Sequence, residues 1–359
     1  MRAALVSFSR QGGILAAWIR EILRSPEWGE SPESGKSVEA YALPKFAWEN
    51  GQIPIEKGLA SWCRARWETE ELLIFVGASG IAVRTIAPCV KSKATDPAVL
   101  VVDERGQFVI SLLSGHLGGA NAWAEQLAVA LGAVPVITTA TDVEGRFAVD
   151  VWAKANNLAI GSLKQAKEVS AAVLAGEPVG FFCDGIVEGE VPPELTQIAD
   201  PADWPEEQLL IVVSPRDWRS DQKRILQLTP RCVALGLGCR RGVSAEALRV
   251  RVDGWLTAAG IRPESLERAA SIDVKKNETG ILTYCKEKGI PYETYTAEEL
   301  LHVPGEFASS AFVQSTVGVD NVCERAAALA AGGGAWLMRK QAGDGVTAAA
   351  ACRRWRVRF

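Results

Sequence analysis

Short apolar runs alternate with stretches of helical periodicity over the first 139 residues. The runs have the length of buried strands, and the stretches between them place apolar side chains on one helical face. This alternation is typical of an α/β domain, in which helices cover a sheet. It predicts strands at residues 3–8, 71–76, 98–102, 107–113 and 134–137, helices at 14–23, 81–87 and 121–131, and a hairpin turn at 103–106.

The periodic signal is weaker from residue 140 to 229, where we expect a small middle α/β domain or lid without an evident group of ligand-binding side chains. From residue 230 strands and helices alternate again, and this order favours a mostly parallel sheet. The sequence therefore predicts an α/β protein in three parts: an N-terminal α/β domain over 1–139, the middle domain over 140–229 and a C-terminal, mostly parallel α/β domain over 230–359.

Composition narrows the class of protein. With 359 residues, 48% of them hydrophobic, the chain can bury several cores. It lacks any stretch of roughly 18–20 apolar residues, the length of a membrane span, and its first residues fit a strand better than a signal peptide. We therefore expect a cytoplasmic protein that does not engage a membrane. The eight cysteines lack a Cys-x-x-Cys spacing and fit buried positions in a reducing compartment.

Charge is spread unevenly along the chain. The net charge of −4 disfavours general nucleic-acid binding, which needs clustered Lys and Arg on one face. Arginine and lysine are nevertheless concentrated between residues 216 and 251 and in the tail at 353–358. Such segments can hold a small polyanion or can simply form solvated faces, and both interpretations stay open.

The most informative motif is SGHLGGAN at residues 114–121, between a predicted strand and a predicted helix. It holds His116, one of only two histidines in the chain. Backbone N–H groups at a helix N-terminus favour a bound anion, and glycines allow a ligand to approach the backbone closely. An imidazole can also take and return a proton near neutral pH. The alternative is a tight structural turn whose histidine merely packs or caps.

Polar residues collect where the strands of the first domain end or begin. Because open α/β sheets bind ligands outside the carboxyl ends of their strands, we expect these segments to meet in one crevice. Arg84, about one turn into its helix, could face that crevice or be an ordinary surface charge. The segments are 79–80, 91–96, 114–119 and 138–142.

A second glycine turn, GLGCRRG at residues 236–242, allows two interpretations. Its Gly-x-Gly-x-x-x-Gly spacing departs from the dinucleotide fingerprint, and Asp273 lies well over ~20 residues further on. A helix N-terminus that binds a carboxylate, with Arg240 or Arg241 adding charge, relies on the same physics. With His302 interpreted as a surface residue and no clustered carboxylates, we expect no protein-held metal.

Several motifs in the same order resemble the CbiG family of cobalt-precorrin-5A hydrolases in cobalamin biosynthesis. They are GIAVR at 80–84, KATDPAV at 93–99, the motif at 114–121, PVITTATD at 135–142, GLGCRRG at 236–242, SIDVK at 271–275, VGV at 317–319, CERAA at 323–327, KQ at 340–341 and GVT at 345–347. The resemblance spans nearly the whole chain and is weakest before about residue 70 and in the middle part.

The resemblance implies that water opens a δ-lactone on a macrocycle and that acetaldehyde then leaves, giving cobalt-precorrin-5B. It implies no cofactor, because the cobalt belongs to the substrate, a polycarboxylate macrocycle broad enough to need a cleft between domains. Contact with neighbouring enzymes of the pathway and homo-oligomerisation stay open. Our mechanistic hypothesis is that His116 activates the water, N–H groups near Gly118 and Gly119 stabilise the oxyanion, and Asp142 or Asp96 assists.

Two other classes stay open: a protein that binds and delivers the corrinoid intermediate without catalysis, and a nucleotide-dependent oxidoreductase. The candidate substrate-binding residues are Ser79, Gly80, Arg84, Lys93, Thr95, Ser114, Gly115, Gly118, Gly119, Asn121, Thr138, Thr139, Thr141, Gly238, Cys239, Arg240, Lys275 and Ser315.

Overall fold

The structure is a computed structural model and describes residues 1–25, 28, 37–47, 50–92, 95–116, 118–139, 145–219, 224–309, 314 and 318–359. Contacts divide the chain into two compact units, Met1–Arg146 and Phe147–Phe359. Sheets covered by helices occur in the N-terminal, middle and C-terminal parts, which confirms the three-part α/β prediction. The limits near residues 139 and 229 stay predictions.

The first unit is a seven-stranded sheet with helices on both faces. All five predicted strands are present, as β1, β4, β5, β6 and β7, whereas β2, β3, α2 and α3 were not predicted. The elements are β1 (Arg2–Ser7), α1 (Arg10–Arg24), β2 (Ser37–Ala42), α2 (Pro44–Ala47), β3 (Ile53–Pro54), α3 (Leu59–Trp67), β4 (Leu72–Val76), α4 (Ser79–Ile86), β5 (Ala98–Val102), β6 (Phe108–Leu113), α5 (Ala120–Leu131) and β7 (Val134–Val136).

Strand β4 shows why this part of the chain forms a sheet that is covered on both faces. All five of its residues are buried, because Leu72, Ile74 and Val76 pack with α1 and α5 while Leu73 and Phe75 pack with α3 and α4. Side chains alternate between the two faces of a strand, so a continuous apolar run is what a sheet covered on both sides requires.

Strands β6 and β7 of this sheet run against the other five, and their direction decides which loops meet. The order is β3-β2-β1-β4-β5-β6-β7, with β1 to β5 parallel and β6 antiparallel to β5. The predicted turn at 103–106 makes this hairpin: the Asp103 carboxylate accepts hydrogen bonds from the N–H groups of Arg105, Gln107 and Phe108. The end of β6 therefore lies beside the start of β5.

The second unit contains two five-stranded sheets and a two-stranded one. Its elements are α6 (Val149–Ala155), β8 (Leu158–Ile160), α7 (Leu163–Ala175), β9 (Val179–Cys183), β10 (Ile186–Glu188), β11 (Leu195–Gln197), β12 (Leu209–Val213), β13 (Arg224–Pro230), β14 (Val233–Cys239), α8 (Ala245–Ala258), β15 (Leu266–Ile272), α9 (Thr279–Lys288), β16 (Tyr292–Tyr295), α10 (Ala297–Leu301), α11 (Cys323–Ala330), β17 (Ala335–Gly343), β18 (Val346–Cys352) and β19 (Arg356–Arg358).

The C-terminal sheet is mixed, so the expectation of a mostly parallel sheet holds for only part of it. Strands β14, β15 and β16 are parallel, whereas β18 pairs antiparallel with both β14 and β17. The cause is a tight hairpin at Asp344 and Gly345, whose φ values of 49° and 77° suit a two-residue turn. This turn reverses the chain without a crossover helix.

The middle and C-terminal sheets of the second unit share one apolar core. Strand order in the middle sheet is β11-β9-β12-β13-β8, and all its pairings are parallel except that of β8 with β13. The chain ends by returning to this part, since β19 pairs with β10 and Trp355 packs against Gly185. None of the described helices is long and apolar enough to span a membrane.

Candidate active site

The loop that carries His116 is folded tightly onto itself. Ser114 is buried and has a φ of 58°, a left-handed conformation that is rare outside glycine. Its carbonyl accepts the N–H of Ala120 at 3.1 Å, and the Gly115 carbonyl accepts the N–H of Asn121 at 3.0 Å. Helix α5 therefore begins directly beside the end of β6, with the partly exposed His116 in the loop between them.

The glycines of this loop are required by its internal packing. A Cβ on Gly115 would lie 2.6 Å from Asn121 Oδ1, and one on Gly118 would lie 2.4 Å from Ser114 Cβ. Both distances are far below an ordinary contact of about 3.5–4.0 Å. The sequence predicted that these glycines allow a ligand to approach the backbone. In the structure they allow side chains of the same loop to approach it.

Asn121 joins three segments of the first unit. Its side chain is buried; Oδ1 accepts the Ser111 hydroxyl at 2.6 Å, and Nδ2 donates to Thr139 Oγ1 at 3.1 Å. Strand β6, helix α5 and the segment after β7 therefore meet here, as the sequence predicted for the motif and for Thr139. Thr138 is exposed beside them.

Asp96 supports the same loop from the other side. The Ser114 hydroxyl donates to the Asp96 carbonyl at 3.1 Å. The Asp96 carboxylate is buried, and its Oδ2 accepts the N–H groups of Lys91 and Ser92, both at 2.9 Å. These bonds hold the segment before β5, where Thr95 is exposed. Asp96 therefore has a structural role in holding this loop, and its carboxylate is already engaged by two backbone N–H groups.

The segment at 79–80 and the segment at 114–119 lie at opposite ends of the strands, so the prediction of one shared crevice is wrong for Ser79 and Gly80. They follow the carboxyl end of β4, whereas Ser114 follows Leu113, which pairs with Val99 near the start of β5. The antiparallel direction of β6 separates them. Arg84 is exposed, with its guanidinium turned back to within 3.6 Å of the position of a Cβ on Gly80.

Of the two backbone N–H groups that the sequence suggested as oxyanion donors, Gly118 and Gly119, the second is already engaged within the loop. The Gly119 N–H donates to the His116 carbonyl at 2.9 Å, so it is not directed at a ligand in this structure. Gly119 itself, with a φ of 85°, occupies the N-cap position of α5. The Gly118 N–H is the donor that remains from the sequence hypothesis. Four further candidates lie outside the described residues: Lys93, Thr141, Asp142 and Ser315.

The candidates of the C-terminal part gather at the end of β14. Lys275 Nζ lies 2.9 Å from Glu278 Oε2, and Glu278 Oε1 accepts the Gly242 N–H at 2.8 Å. The Lys275 hydrogen bond lowers the pKa of the Glu278 carboxyl. Burial raises the pKa of the neighbouring Cys239 thiol to about 11, although Lys275 opposes this shift, so Cys239 is a neutral thiol near pH 7.

Packing accounts for the glycines of the second turn. A Cβ on Gly236 would lie 1.8 Å from the Cys323 carbonyl of α11, and one on Gly238 would lie 2.5 Å from Thr347 Oγ1. These contacts explain the glycines without a nucleotide. The exposed Arg240 donates its N–H to the Gly345 carbonyl at 2.8 Å, which joins the turn to the β17–β18 hairpin. Within the described ranges, no three His, Cys, Asp or Glu side chains cluster in a way that could hold a metal.

Three family models match the chain. They are Cobalamin synthesis G N-terminal over residues 61–142, Cobalamin biosynthesis central region over 147–230 and Cobalamin synthesis G C-terminus over 233–351. These matches include both glycine turns and the middle part, where the motif signal was weakest.

Two relatives and one solved structure extend the comparison. A cobalt-precorrin-5A hydrolase of Salmonella typhimurium is 40% identical over 299 residues, which cover 81% of this chain and 82% of that protein. One of Priestia megaterium is 32% identical over 291 residues, covering 77% and 78%. A structure described as a cobalamin biosynthesis protein G homolog from Sulfolobus solfataricus has a TM-score of 0.41 at 23% identity, covering 98% of this chain and 96% of that one.

Proposed function

This chain belongs to the cobalamin synthesis G (CbiG) family, and we propose that it is a cobalt-precorrin-5A hydrolase of cobalamin biosynthesis. The observation that carries the proposal is 40% identity to a hydrolase of that name over four fifths of both chains. The folded loop around His116 supports it, because the loop holds this partly exposed histidine beside the N-terminus of α5.

We assign the first step to His116. The imidazole takes a proton from water as the water oxygen attacks the lactone carbonyl, and collapse of the tetrahedral oxyanion breaks the ring C–O bond. The imidazolium returns its proton to the leaving alkoxide, so the products are a hydroxyl group and a carboxylic acid, which ionises to a carboxylate. The Gly118 N–H and the N-terminal end of α5 favour the negative charge of the intermediate. A general base contributes roughly 10²–10⁴ in rate and one oxyanion donor roughly 10²–10³.

The second step needs a base at the new hydroxyl group. Removal of its proton allows the adjacent carbon–carbon bond to break, so that acetaldehyde leaves and the electron pair passes into the macrocycle, where a proton neutralises it. Because Asp96 Oδ2 already accepts two backbone N–H groups, we favour Asp142 for orienting the imidazole or for this proton transfer. The cobalt enters as part of the substrate.

The competing proposal is a protein that binds the intermediate without converting it, and acetaldehyde separates the two. The purified chain is incubated anaerobically with cobalt-precorrin-5A, and the aldehyde is measured with alcohol dehydrogenase and NADH. A hydrolase releases one acetaldehyde per substrate over many turnovers. Stoichiometric binding without aldehyde would identify a carrier. Saturable binding of NAD(P) would favour the oxidoreductase alternative.

A further inference from the structure

The tail and the end of β13 enclose a strongly basic pocket in the second unit. Its volume is about 240 Å³, and its lining includes Arg231, Arg353, Arg354 and Arg356. The first of these arginines is more than a hundred residues from the others in the sequence. We call this cavity the basic pocket. None of the roles assigned above uses it.

Arg353 builds the pocket without being free to bind a ligand. Its Nε lies 2.9 Å from Glu267 Oε2, Nη2 donates to the Arg231 carbonyl at 3.1 Å, and Nη1 donates to the Arg354 carbonyl at 3.1 Å. One guanidinium therefore ties together the two segments that form the walls. The backbone carbonyls of Arg231 and Arg354 are thus held at the rim by Arg353, and both residues are exposed.

The charges of the basic pocket are unbalanced. Arg353 is paired with Glu267, and Arg356 with Glu188. In the part of the chain that the structure describes, no carboxylate lies within 4.0 Å of Arg231 or Arg354. Both arginines thus line one small concave space in a chain whose net charge is −4. Guanidinium groups pair with carboxylates through two parallel hydrogen bonds, so these two residues favour an anion in this space.

We propose that the basic pocket binds an anion carrying two or more carboxylates, with Arg231 and Arg354 as its direct contacts. The volume lies below the ~300–1,000 Å³ of pockets that enclose drug-sized ligands, so the pocket admits a small polycarboxylate or two acid arms of a larger one. The carboxylates have two possible sources, a separate small acid or the acid arms of the macrocyclic substrate, and the second of these rests on the proposed function. The first source is independent of it.

Isothermal titration calorimetry with benzene-1,3,5-tricarboxylate tests the binding. The full chain is titrated at low ionic strength, and Arg231→Gln and Arg354→Gln are compared with it. Each substitution should weaken binding about tenfold or more, the loss expected from one charge-assisted contact. Arg105→Gln, an exposed arginine of a turn in the first unit, is the matched control and should bind as the unchanged chain does. Circular dichroism melting checks that all variants fold.

Three results would overturn the proposal: no binding of the tricarboxylate at millimolar concentrations, unchanged binding in the Arg231→Gln/Arg354→Gln double variant, or tighter binding of inorganic phosphate. A second measurement distinguishes the sources. If the carboxylates are arms of the substrate, Arg354→Gln raises KM for acetaldehyde release and leaves kcat unchanged; if they belong to a separate acid, KM does not change. Failure of the unchanged chain to release acetaldehyde would refute the hydrolase proposal and leave the calorimetric result standing.

Discussion

Gly118→Ala perturbs the His116 loop at its tightest point. The new Cβ would lie 2.4 Å from Ser114 Cβ and 2.7 Å from the Ser114 carbonyl oxygen. Ordinary contacts are about 3.5–4.0 Å, so the loop must shift by roughly 1 Å. Ser114 cannot easily move aside, because its carbonyl and hydroxyl bond Ala120 and Asp96. Overpacking of this kind costs about 1–3 kcal/mol.

The magnitude predicts a separation between stability and activity. At about 2–4 °C per kcal/mol for a unit of this size, Tm should fall by roughly 2–12 °C, which leaves the protein folded at assay temperature. A displacement of about 1 Å in a catalytic group can cost about 10²-fold in rate, so kcat for acetaldehyde release should fall about a hundredfold. Differential scanning calorimetry and the coupled aldehyde assay measure the two effects.

Two further variants make the result interpretable. Gly254→Ala, in α8 with nothing within 4 Å of the new Cβ, should raise stability by about 0.5–1 kcal/mol and leave kcat unchanged. Adding Ser114→Gly to Gly118→Ala removes one clashing Cβ at a φ of 58° that suits glycine, so part of the lost stability should return. Wild-type kcat in folded Gly118→Ala would refute the claim that this loop positions the catalytic group.

Three further predictions concern other parts of the chain. Glu324→Ala should cost about 3–5 kcal/mol in chemical denaturation, because this carboxylate is 1% exposed and accepts the N–H groups of residues 308 and 340. Gly236→Ala should prevent normal packing of α11 on β14 and abolish a cooperative calorimetric transition of the second unit, since its Cβ would meet the Cys323 carbonyl at 1.8 Å. Arg219 lowers the pKa of Asp217 to about 2 through its side-chain hydrogen bonds, so the stabilisation is present above the ordinary pKa near ~4 and is lost as pH falls toward 2. Arg219→Gln should raise the Asp217 pKa in an NMR titration, and an unchanged value would contradict the assignment.

Five strands of the first unit could be predicted because each is a mainly apolar run bounded by turn residues, whereas β2 and β3 are shorter or more polar. The direction of β6 could also have been inferred. A hairpin at 103–106 implies that β6 is antiparallel to β5. This direction places Ser79 and Ser114 at opposite ends of the strands. The rule for carboxyl ends holds for parallel strands, and β6 runs the other way.

The β17–β18 hairpin had a recognisable signal as well. The Asp344-Gly345 pair, followed by the apolar and small run at 346–352, is a strong indication of a two-residue turn, and it would have predicted the mixed sheet. Other features depend on contacts that sequence patterns do not specify. The bond from Asn121 to Thr139, the left-handed Ser114 and the packing of Gly236 against α11 all join segments through tertiary structure.

The most direct test of the account is acetaldehyde release by His116→Ala, measured anaerobically in parallel with the unchanged chain. The account predicts a rate lower by roughly 10²–10⁴, the usual contribution of a general base, in a variant that still folds because residue His116 is partly exposed. A rate close to that of the unchanged chain would contradict the account and remove His116 from the mechanism.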